Sequence, residues 1–215
     1  MTDAWEVIAS AKALLLDFDG PITALMPPPL NSQAAERARA ALQVTTLPCE
    51  IRTTTDHLAV LRFTAEHYPG RFRDVERACS EAEIDCARLS KPSPEAQALI
   101  EGAERRSVRV AIVSNNSEKA VQAFLRRFSW AAPIHVLACR TPKLGAKLKP
   151  NPLLVNRALE HLRVDAGGAV LVGDSVSDVE AGNSAGVRVV GLSKTPERGR
   201  NLIMAGAVAL IERSA

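Results

Sequence analysis

This sequence of 215 residues has few aromatic residues, no long apolar run and no strong excess of charge of either sign. Lys and Arg number 27 and Asp and Glu number 24, which gives a formal net charge of +3. Because the basic residues are spread along the chain, we expect no nucleic-acid or membrane partner. The apolar run at 13–16 is too short for a membrane span and lacks the flanks of an export signal. We therefore expect a soluble cytoplasmic protein, as a monomer or a homodimer.

Cysteine is also scarce, and its spacing excludes two classes of protein. The sequence has four cysteines, none in Cys-x-x-Cys spacing and none near a histidine cluster. Zinc sites typically show such spacings, and disulfide frameworks are typical of small secreted domains rich in cysteine. We therefore expect reduced thiols.

What the sequence does have is apolar content, 47% of its residues, enough for one sizeable core and a smaller appendage. Its first part is helical in pattern, after a lead-in at 1–12 in which Trp5, Val7 and Ile8 are available to pack. The predicted helices there cover 31–43, a stretch that opens at 53–56 and stops before Pro69, and 73–88. The later part alternates helices at 93–106, 117–128, 151–162 and 177–185 with strands at 108–113, 134–138, 169–172 and 187–190. Such alternation predicts an α/β fold with a parallel sheet and helices on both faces.

The separation of the first two strands indicates an insertion. A parallel crossover needs a dozen or more residues, yet about 90 lie between the strand at 13 and the strand at 108. Because the extra length is helical in pattern, we interpret 21–92 as a small inserted helical domain.

Polar residues follow each of the first four predicted strands, and ligands of open parallel sheets bind at those ends. Two acids close together beside an apolar core repel each other unless one is protonated or a cation lies between them. The hydroxyl, amide and free N–H groups after the second strand suit phosphate oxygens. The candidate residues, in chain order, are Asp17, Asp19, Ser114, Asn115, Lys149, Asp174 and Asp178.

Each of these features also has an ordinary explanation. The Asp17–Asp19 stretch could be a solvated turn, Ser114 a helix cap and Lys149 a solvated lysine. Asp174 and Asp178 could be a cap and a first-turn acid favoured by the helix dipole. The combination of four strand ends in this order favours a shared site.

The same motifs give the sequence a family resemblance over nearly its whole length. Asp17-Phe18-Asp19-Gly20, Val113-Ser114-Asn115, Lys149-Pro150 and Gly173-Asp174-Ser175 with Asp178 resemble the four motifs of the haloacid dehalogenase-like (HAD) hydrolase superfamily. Within it, the chain is similar to helical-cap phosphatases of the phosphoglycolate-phosphatase-like kind. The resemblance implies a Rossmann-like three-layer α/β/α core of residues 1–20 and 93–215, with 21–92 as the helical cap.

The resemblance also implies roles for the candidate residues. Asp17 would be the nucleophile that forms an aspartyl-phosphate, and Asp19 the general acid and base. Mg²⁺ would be bound by Asp17, the Asp19 main-chain carbonyl, Asp174 and Asp178. Phosphate oxygens would be bound by Ser114, Lys149 and Asn115. The expected function is Mg²⁺-dependent hydrolysis of a small soluble phosphomonoester.

Two features depart from the family pattern. Pro21 replaces the threonine that often follows Asp-x-Asp-Gly, which removes one N–H donor. The cap is short and carries no longer motif that names a substrate. Its candidate crevice residues are Arg52, His57, Arg62, His67, Tyr68 and Arg71, although a solvated cap face also accounts for them.

Three alternative functions remain open. A phosphosugar mutase of the same superfamily uses the same pair of acids but returns the phosphoryl group to another hydroxyl. A receiver-type signalling domain is much shorter and has no helical insertion, and a catalytically silent phosphate-binding scaffold would also keep these residues. Dehalogenase activity is disfavoured by Asp19, since dehalogenation needs no acid there.

Overall fold

A computed structural model describes residues 3–212, and its framework is a parallel sheet. Among these residues the sheet has six strands in the order β3-β2-β1-β4-β5-β6. Every neighbouring pair is parallel. The strands are β1 (Ala13–Leu16), β2 (Arg109–Ser117), β3 (Ile134–Arg140), β4 (Ala169–Gly173), β5 (Arg188–Ser193) and β6 (Ala209–Glu212).

Helices cover both faces of the sheet, because successive strand side chains point to opposite faces. Leu14 and Leu16 of β1 belong to one apolar cluster, whereas Ala13 and Leu15 belong to another. The first cluster includes residues of α1 (Ala4–Ala9), α6 (Pro94–Glu104) and α7 (Glu118–Leu125). The second includes residues of α8 (Leu153–Leu162), α9 (Val176–Ser184) and α10 (Pro196–Met204). The predicted three-layer α/β/α fold is therefore confirmed.

The remaining helices lie between β1 and β2 in the chain. They are α2 (Leu30–Leu42), α3 (Cys49–Thr53), α4 (His57–His67) and α5 (Phe72–Leu89). They share an apolar cluster of their own, which includes Leu42, Val60, Leu61 and Cys79 and also takes in Leu148 from the sheet-bearing part. Helices are therefore present where the sequence predicts a helical insertion.

The two linkers of this insertion lie side by side. Ser93 N donates a hydrogen bond to Ile22 O at 2.7 Å, and Thr23 Oγ1 donates to Lys91 O at 2.7 Å. The chain therefore enters and leaves the inserted helices at one place. The division into 1–20 with 93–215 and 21–92 stays a prediction, and residues 1–2 and 213–215 lie outside the described residues.

The structure also has elements that the sequence patterns do not predict. They are α1, α3, α10 and β6. Most are short, and α10 is polar in sequence, with Gly199 and Leu202 as its buried residues. In α1, Val7 and Ile8 are buried as expected, but Trp5 is 52% exposed, so the expectation that it packs against the core is wrong. The buried face of α1 is formed by Ala4, Val7 and Ile8.

Two further observations bear on the sequence analysis. All four cysteines are free thiols, as expected. None of the helices between residues 3 and 212 combines the length and the apolar character that a membrane crossing requires.

Candidate active site

The site lies beyond the carboxyl end of β1, the strand with β2 on one side and β4 on the other. Leu16 pairs with Ile112 of β2 and Val172 of β4, and the next residue, Asp17, donates its N–H to Val172 O at 2.9 Å. Phe18 is buried against Phe124, with ring centroids 5.3 Å apart. This apolar anchor fixes the backbone between Asp17 and Asp19.

Three carboxylates meet at this end of the sheet. Asp17, Asp174 and Asp178 each offer an oxygen atom, and these atoms all lie within 4.8 Å of one another. Asp178 is fully buried and Asp17 is 8% exposed. Carboxylate oxygens are the ligands that hard divalent cations such as Mg²⁺ prefer.

Lys149 places a positively charged side chain next to two of these acids, Asp17 and Asp178. Its Nζ lies 2.8 Å from Asp17 Oδ1 and 2.5 Å from Asp178 Oδ1, and it donates to Val113 O at 2.9 Å. Burial lowers the pKa of Lys149, but the two carboxylates outweigh it and raise that pKa above its usual value. Three carboxylates and one ammonium still leave an excess of negative charge. The donor set and this charge excess both fit a divalent cation.

The pKa values of the acids show the same excess. Burial raises the pKa of Asp17 well above its usual range, and Asp178 raises it further, although Lys149 opposes both. Burial, with Asp178 and Asp19, raises the pKa of Asp174 to about 6. A cation among these oxygens would stabilise their charged forms.

Two glycines allow this close approach. Gly20 has φ +113°, and a Cβ there would lie 2.3 Å from Asp174 Cγ. A Cβ on Gly173 would lie 2.4 Å from Asp178 Cβ. Any larger residue at either position would displace a carboxylate of the cluster.

Asp178 is held by the start of α9. Ser175 and Asp178 form a capping box, in which Ser175 N donates to Asp178 Oδ2 at 3.1 Å and Asp178 N donates to Ser175 Oγ at 3.3 Å. The other oxygen, Oδ1, lies against Lys149. Asp178 therefore both caps its helix and belongs to the acidic cluster.

Asp19 is not one of the three acids of that cluster. It is half-buried, and its Oδ1 accepts a hydrogen bond from Leu25 N at 2.9 Å. Burial raises its pKa, while the Leu25 N–H opposes the rise. A carboxyl group with a raised pKa can carry a proton closer to neutral pH.

The candidate residues near the end of β2, Ser114 and Asn115, have different positions. Asn115 is hydrogen-bonded to the backbone of Lys149 twice, since its Oδ1 accepts from Lys149 N at 2.7 Å and its Nδ2 donates to Lys149 O at 3.2 Å. Ser114 is fully buried, and its Oγ donates to Asn116 Oδ1 at 3.1 Å. Asn115 therefore holds the Lys149 segment in place.

These residues surround a cavity of about 350 Å³ between the sheet and the inserted helices. Its wall includes six of the seven candidate residues; Ser114 is not part of it. The inserted helices and their linkers contribute polar side chains, among them Arg62, whose Nη1 lies 3.4 Å from Asp56 Oδ2. The lining residues are Asp17, Asp19, Met26, Asn31, Thr55, Asp56, His57, Leu58, Arg62, Asn115, Asn116, Lys149, Asp174, Ser175, Ser177 and Asp178.

Comparison with known proteins assigns the chain to a family. Residues 43–192 match the model of the haloacid dehalogenase-like hydrolases. The chain belongs to this family.

Individual relatives match different shares of this haloacid dehalogenase-like hydrolase. It is 29% identical over 195 residues to the phosphoglycolate phosphatase of Rhodospirillum rubrum. This match covers 85% of this chain and 79% of that protein. It is 28% identical over 103 residues to the N-acetylmuramic acid 6-phosphate phosphatase of Pseudomonas aeruginosa, or 48% of this chain and 45% of that protein. Among solved structures, CbbY from Rhodobacter sphaeroides in complex with phosphate superposes with a TM-score of 0.72 at 25% identity, covering 94% and 93% of the two chains.

The candidate crevice residues of the hydrolase's inserted helices divide into two groups. His57 and Arg62 line the cavity, whereas Arg52, His67, Tyr68 and Arg71 are described residues outside its wall. Residues of one helix point to different faces, so only some of the polar side chains of α4 can face the cavity. Asn31, Thr55 and Asn116 line the cavity without a sequence signal of their own, because small polar residues also occur at caps and turns.

Proposed function

We propose that the protein is a Mg²⁺-dependent phosphatase that hydrolyses a small phosphomonoester through an aspartyl-phosphate on Asp17. The observation that carries this proposal is the position of the Asp17 carboxylate, next to Lys149 and two further acids at the edge of an open cavity. The names of the relatives support it, since they include phosphatases of phosphoglycolate and of a sugar phosphate.

Asp17, Asp174 and Asp178, with the main-chain carbonyl of Asp19, would hold the Mg²⁺ ion. When bound, the ion supplies the positive charge that lets a carboxylate approach a phosphate dianion. The acidic cluster and its raised pKa values support this assignment.

In the first half-reaction Asp17 attacks the phosphorus atom. A bond forms between an Asp17 oxygen and phosphorus, and the bond between phosphorus and the ester oxygen breaks. Lys149, whose Nζ lies 2.8 Å from Asp17 Oδ1, donates to the phosphoryl oxygens, which carry the charge in the transition state. Asp19 gives its proton to the departing alcohol oxygen, a role that its raised pKa supports.

In the second half-reaction Asp19 accepts a proton from water. The water oxygen bonds to phosphorus, the bond from phosphorus to Asp17 breaks, and inorganic phosphate leaves. Asn115 serves this step by holding the Lys149 backbone, and Ser114 by holding Asn116. A direct phosphate contact is proposed for Asn115, which lines the cavity. Ser114 is buried outside the cavity wall, so its hydroxyl would have to turn away from Asn116 to make the contact proposed for it.

Residues 21–92 act as a cap over residues 1–20 and 93–215, with hinges in the linkers at 20–29 and 92–94. The paired linkers support this division, because a chain that enters and leaves at one place can pivot there. A cavity of about 350 Å³ suits a substrate of metabolite size.

The test is a panel of phosphorylated metabolites and p-nitrophenyl phosphate, scored for free phosphate with Mg²⁺ and with a chelator. We expect phosphate release that requires the metal. Isomerised product with little free phosphate would instead establish a mutase. Purified protein that is folded, loaded with Mg²⁺ and inactive on the whole panel would contradict the proposal.

A further inference from the structure

A second cluster of buried charges lies where α5, the last inserted helix, meets the ends of β2 and β3. Glu83 of α5 and Arg140 of β3 are almost completely buried, at 0% and 1% exposure. Arg140 Nη2 donates to both carboxylate oxygens of Glu83, at 2.6 and 2.7 Å. Arg140 Nη1 lies 2.5 Å from Oε1 of Glu76, two turns earlier in the same helix.

Glu83 also reaches two side chains of the cavity wall. His57 Nε2 lies 2.9 Å from Glu83 Oε1, and Asn116 Nδ2 donates to the same oxygen at 3.4 Å. Both His57 and Asn116 line the cavity that contains Asp17 and Asp19. The other Glu83 oxygen accepts from Ser117 N at 2.7 Å. One carboxylate therefore contacts both the inserted helices and the end of β2.

Glu83 is charged in spite of its burial. Burial by itself raises its pKa, but Arg140, His57 and the Ser117 N–H outweigh burial and lower that pKa to about 2. An ionised carboxylate only accepts hydrogen bonds, so His57 Nε2 must be the donor. The carboxylate thus fixes the tautomer and the orientation of the His57 ring.

Arg140 extends the same network towards Lys149. Its Nε donates to Asn115 O at 3.0 Å, and Asn115 is the residue whose side chain holds the Lys149 backbone. A buried ion pair adds little net stability over an apolar pair of similar size. Its value here is geometric, because it sets where several site residues lie.

We propose that Glu83 is a positioning residue, which acts through His57 and Asn116 to fix two sides of the substrate cavity. The proposal rests on the proposed function, because turnover is its main readout. Glu83 itself lies outside the cavity wall and touches no reacting atom.

The chain offers a matched control, Glu76→Gln. Glu76 lies on the same helix, is buried at 6% exposure and pairs with the same guanidinium, but its hydrogen bond goes to Arg140 and not to a cavity residue. For Glu83→Gln we expect kcat/KM for p-nitrophenyl phosphate to fall about 10- to 100-fold, because a misplacement of about 1 Å has effects of this size. For Glu76→Gln we expect kcat/KM within about threefold of the wild type, since surrounding geometry is kept.

Activity is measured well below the thermal midpoint of the least stable variant, so that loss of folded protein does not contribute. Binding of inorganic phosphate in the presence of Mg²⁺, followed by calorimetry, gives a readout without turnover. We expect about tenfold weaker binding for Glu83→Gln and little change for Glu76→Gln. Equal losses of kcat/KM in the two variants, or wild-type kcat/KM in Glu83→Gln, would overturn the proposal.

If Glu83→Gln does not fold, the double variant Glu83→Gln with Arg140→Gln replaces it. It removes one charge of each sign, which relieves the cost of an unpaired guanidinium. The same fall in kcat/KM is expected, and wild-type turnover by the folded double variant would refute the positioning role. An inactive wild-type protein would refute the proposed function instead, and phosphate binding would still decide the role of Glu83.

Discussion

Two buried clusters of charge lie at the ends of neighbouring strands, and they treat carboxylates in opposite ways. In the acidic cluster, the pKa of Asp17 is raised because burial and Asp178 outweigh Lys149. In the second cluster, the pKa of Glu83 is lowered to about 2, because Arg140, His57 and a backbone N–H outweigh burial. Burial of a carboxylate therefore has different consequences in the two clusters, and the number of compensating donors decides which one results.

The two clusters differ in how far their charges are balanced by groups of the chain itself. The acidic cluster keeps an excess of negative charge that an added cation would balance. Glu83 has its donors already, two of them from Arg140. We expect the first cluster to respond to Mg²⁺ and the second to respond to acid.

The largest expected effect is that of Asp17→Asn. A neutral amide cannot act as the nucleophile, so hydrolysis of p-nitrophenyl phosphate should fall by about 10³-fold or more. The fold should persist, because one of three repelling carboxylates has been removed. Steady-state kinetics and circular dichroism test this, with the exposed Asp165→Asn as control. Retention of more than about 3% of the wild-type activity would exclude Asp17 as nucleophile.

Acid should act on the second cluster. The folded-state pKa of Glu83, about 2, lies below its ordinary value of 4.5, so its charge stabilises the fold fully above that value. This stabilisation, about 3 kcal/mol, should disappear as the pH falls from about 4.5 towards 2. Urea unfolding of Glu83→Gln should show a flatter loss of stability over this window than the wild type. The exposed Glu36→Gln should follow the wild-type curve, and identical slopes for all three proteins would contradict the assignment.

Gly20→Ala tests the geometry of the acidic cluster. The new Cβ would lie 2.3 Å from Asp174 Cγ, at a φ of +113° that alanine rarely adopts. Displacement of Asp174 should weaken Mg²⁺ binding and lower kcat/KM by about 10- to 100-fold. Gly70→Ala is the matched control, because a Cβ there meets no atom within 4 Å. If both variants keep wild-type Mg²⁺ affinity, the close approach at Gly20 has no functional meaning.

The smallest expected effect is a pH-dependent shift of the thermal midpoint by Mg²⁺. The pKa of Asp174 is raised to about 6, so without metal this group favours the fold less as the pH rises from about 4 to 6. Mg²⁺ favours the charged form and competes with protons below that pKa. Its stabilisation should therefore be a few degrees larger near about pH 7.5 than near about pH 5. Asp174→Asn should lose this difference; an equal Mg²⁺ shift at both pH values would argue against Asp174 as a ligand.

Much of the fold follows from local sequence patterns. The buried runs around Leu15, Ile112 and Leu171 predict parallel strands, because each is short, apolar and followed by turn residues. The helix α10 is polar in sequence, and β6 is a strand of only four residues. Neither gives such a pattern, since their burial depends on neighbours that the local sequence does not show.

The candidate site divides in the same way. Asp17, Lys149 and Asp174 could be chosen from the sequence, because strand ends of a parallel sheet meet at one edge. The covered position of Ser114 could not, since it depends on how Asn116 folds back over its hydroxyl. Two acids on the apolar face of α5, Glu76 and Glu83, are a sequence signal of burial, but they do not name their partner.

By itself the sequence determined the α/β class, the helical insertion and the acids and lysine at the strand ends, because strand patterns and turn chemistry are set by neighbouring residues. Only the tertiary structure decided that Glu83 pairs with Arg140, 57 residues later, and that this pair contacts the cavity wall. Such a pairing depends on where α5 lies against the sheet. That placement results from the packing of the whole inserted unit, which no short stretch of the chain encodes.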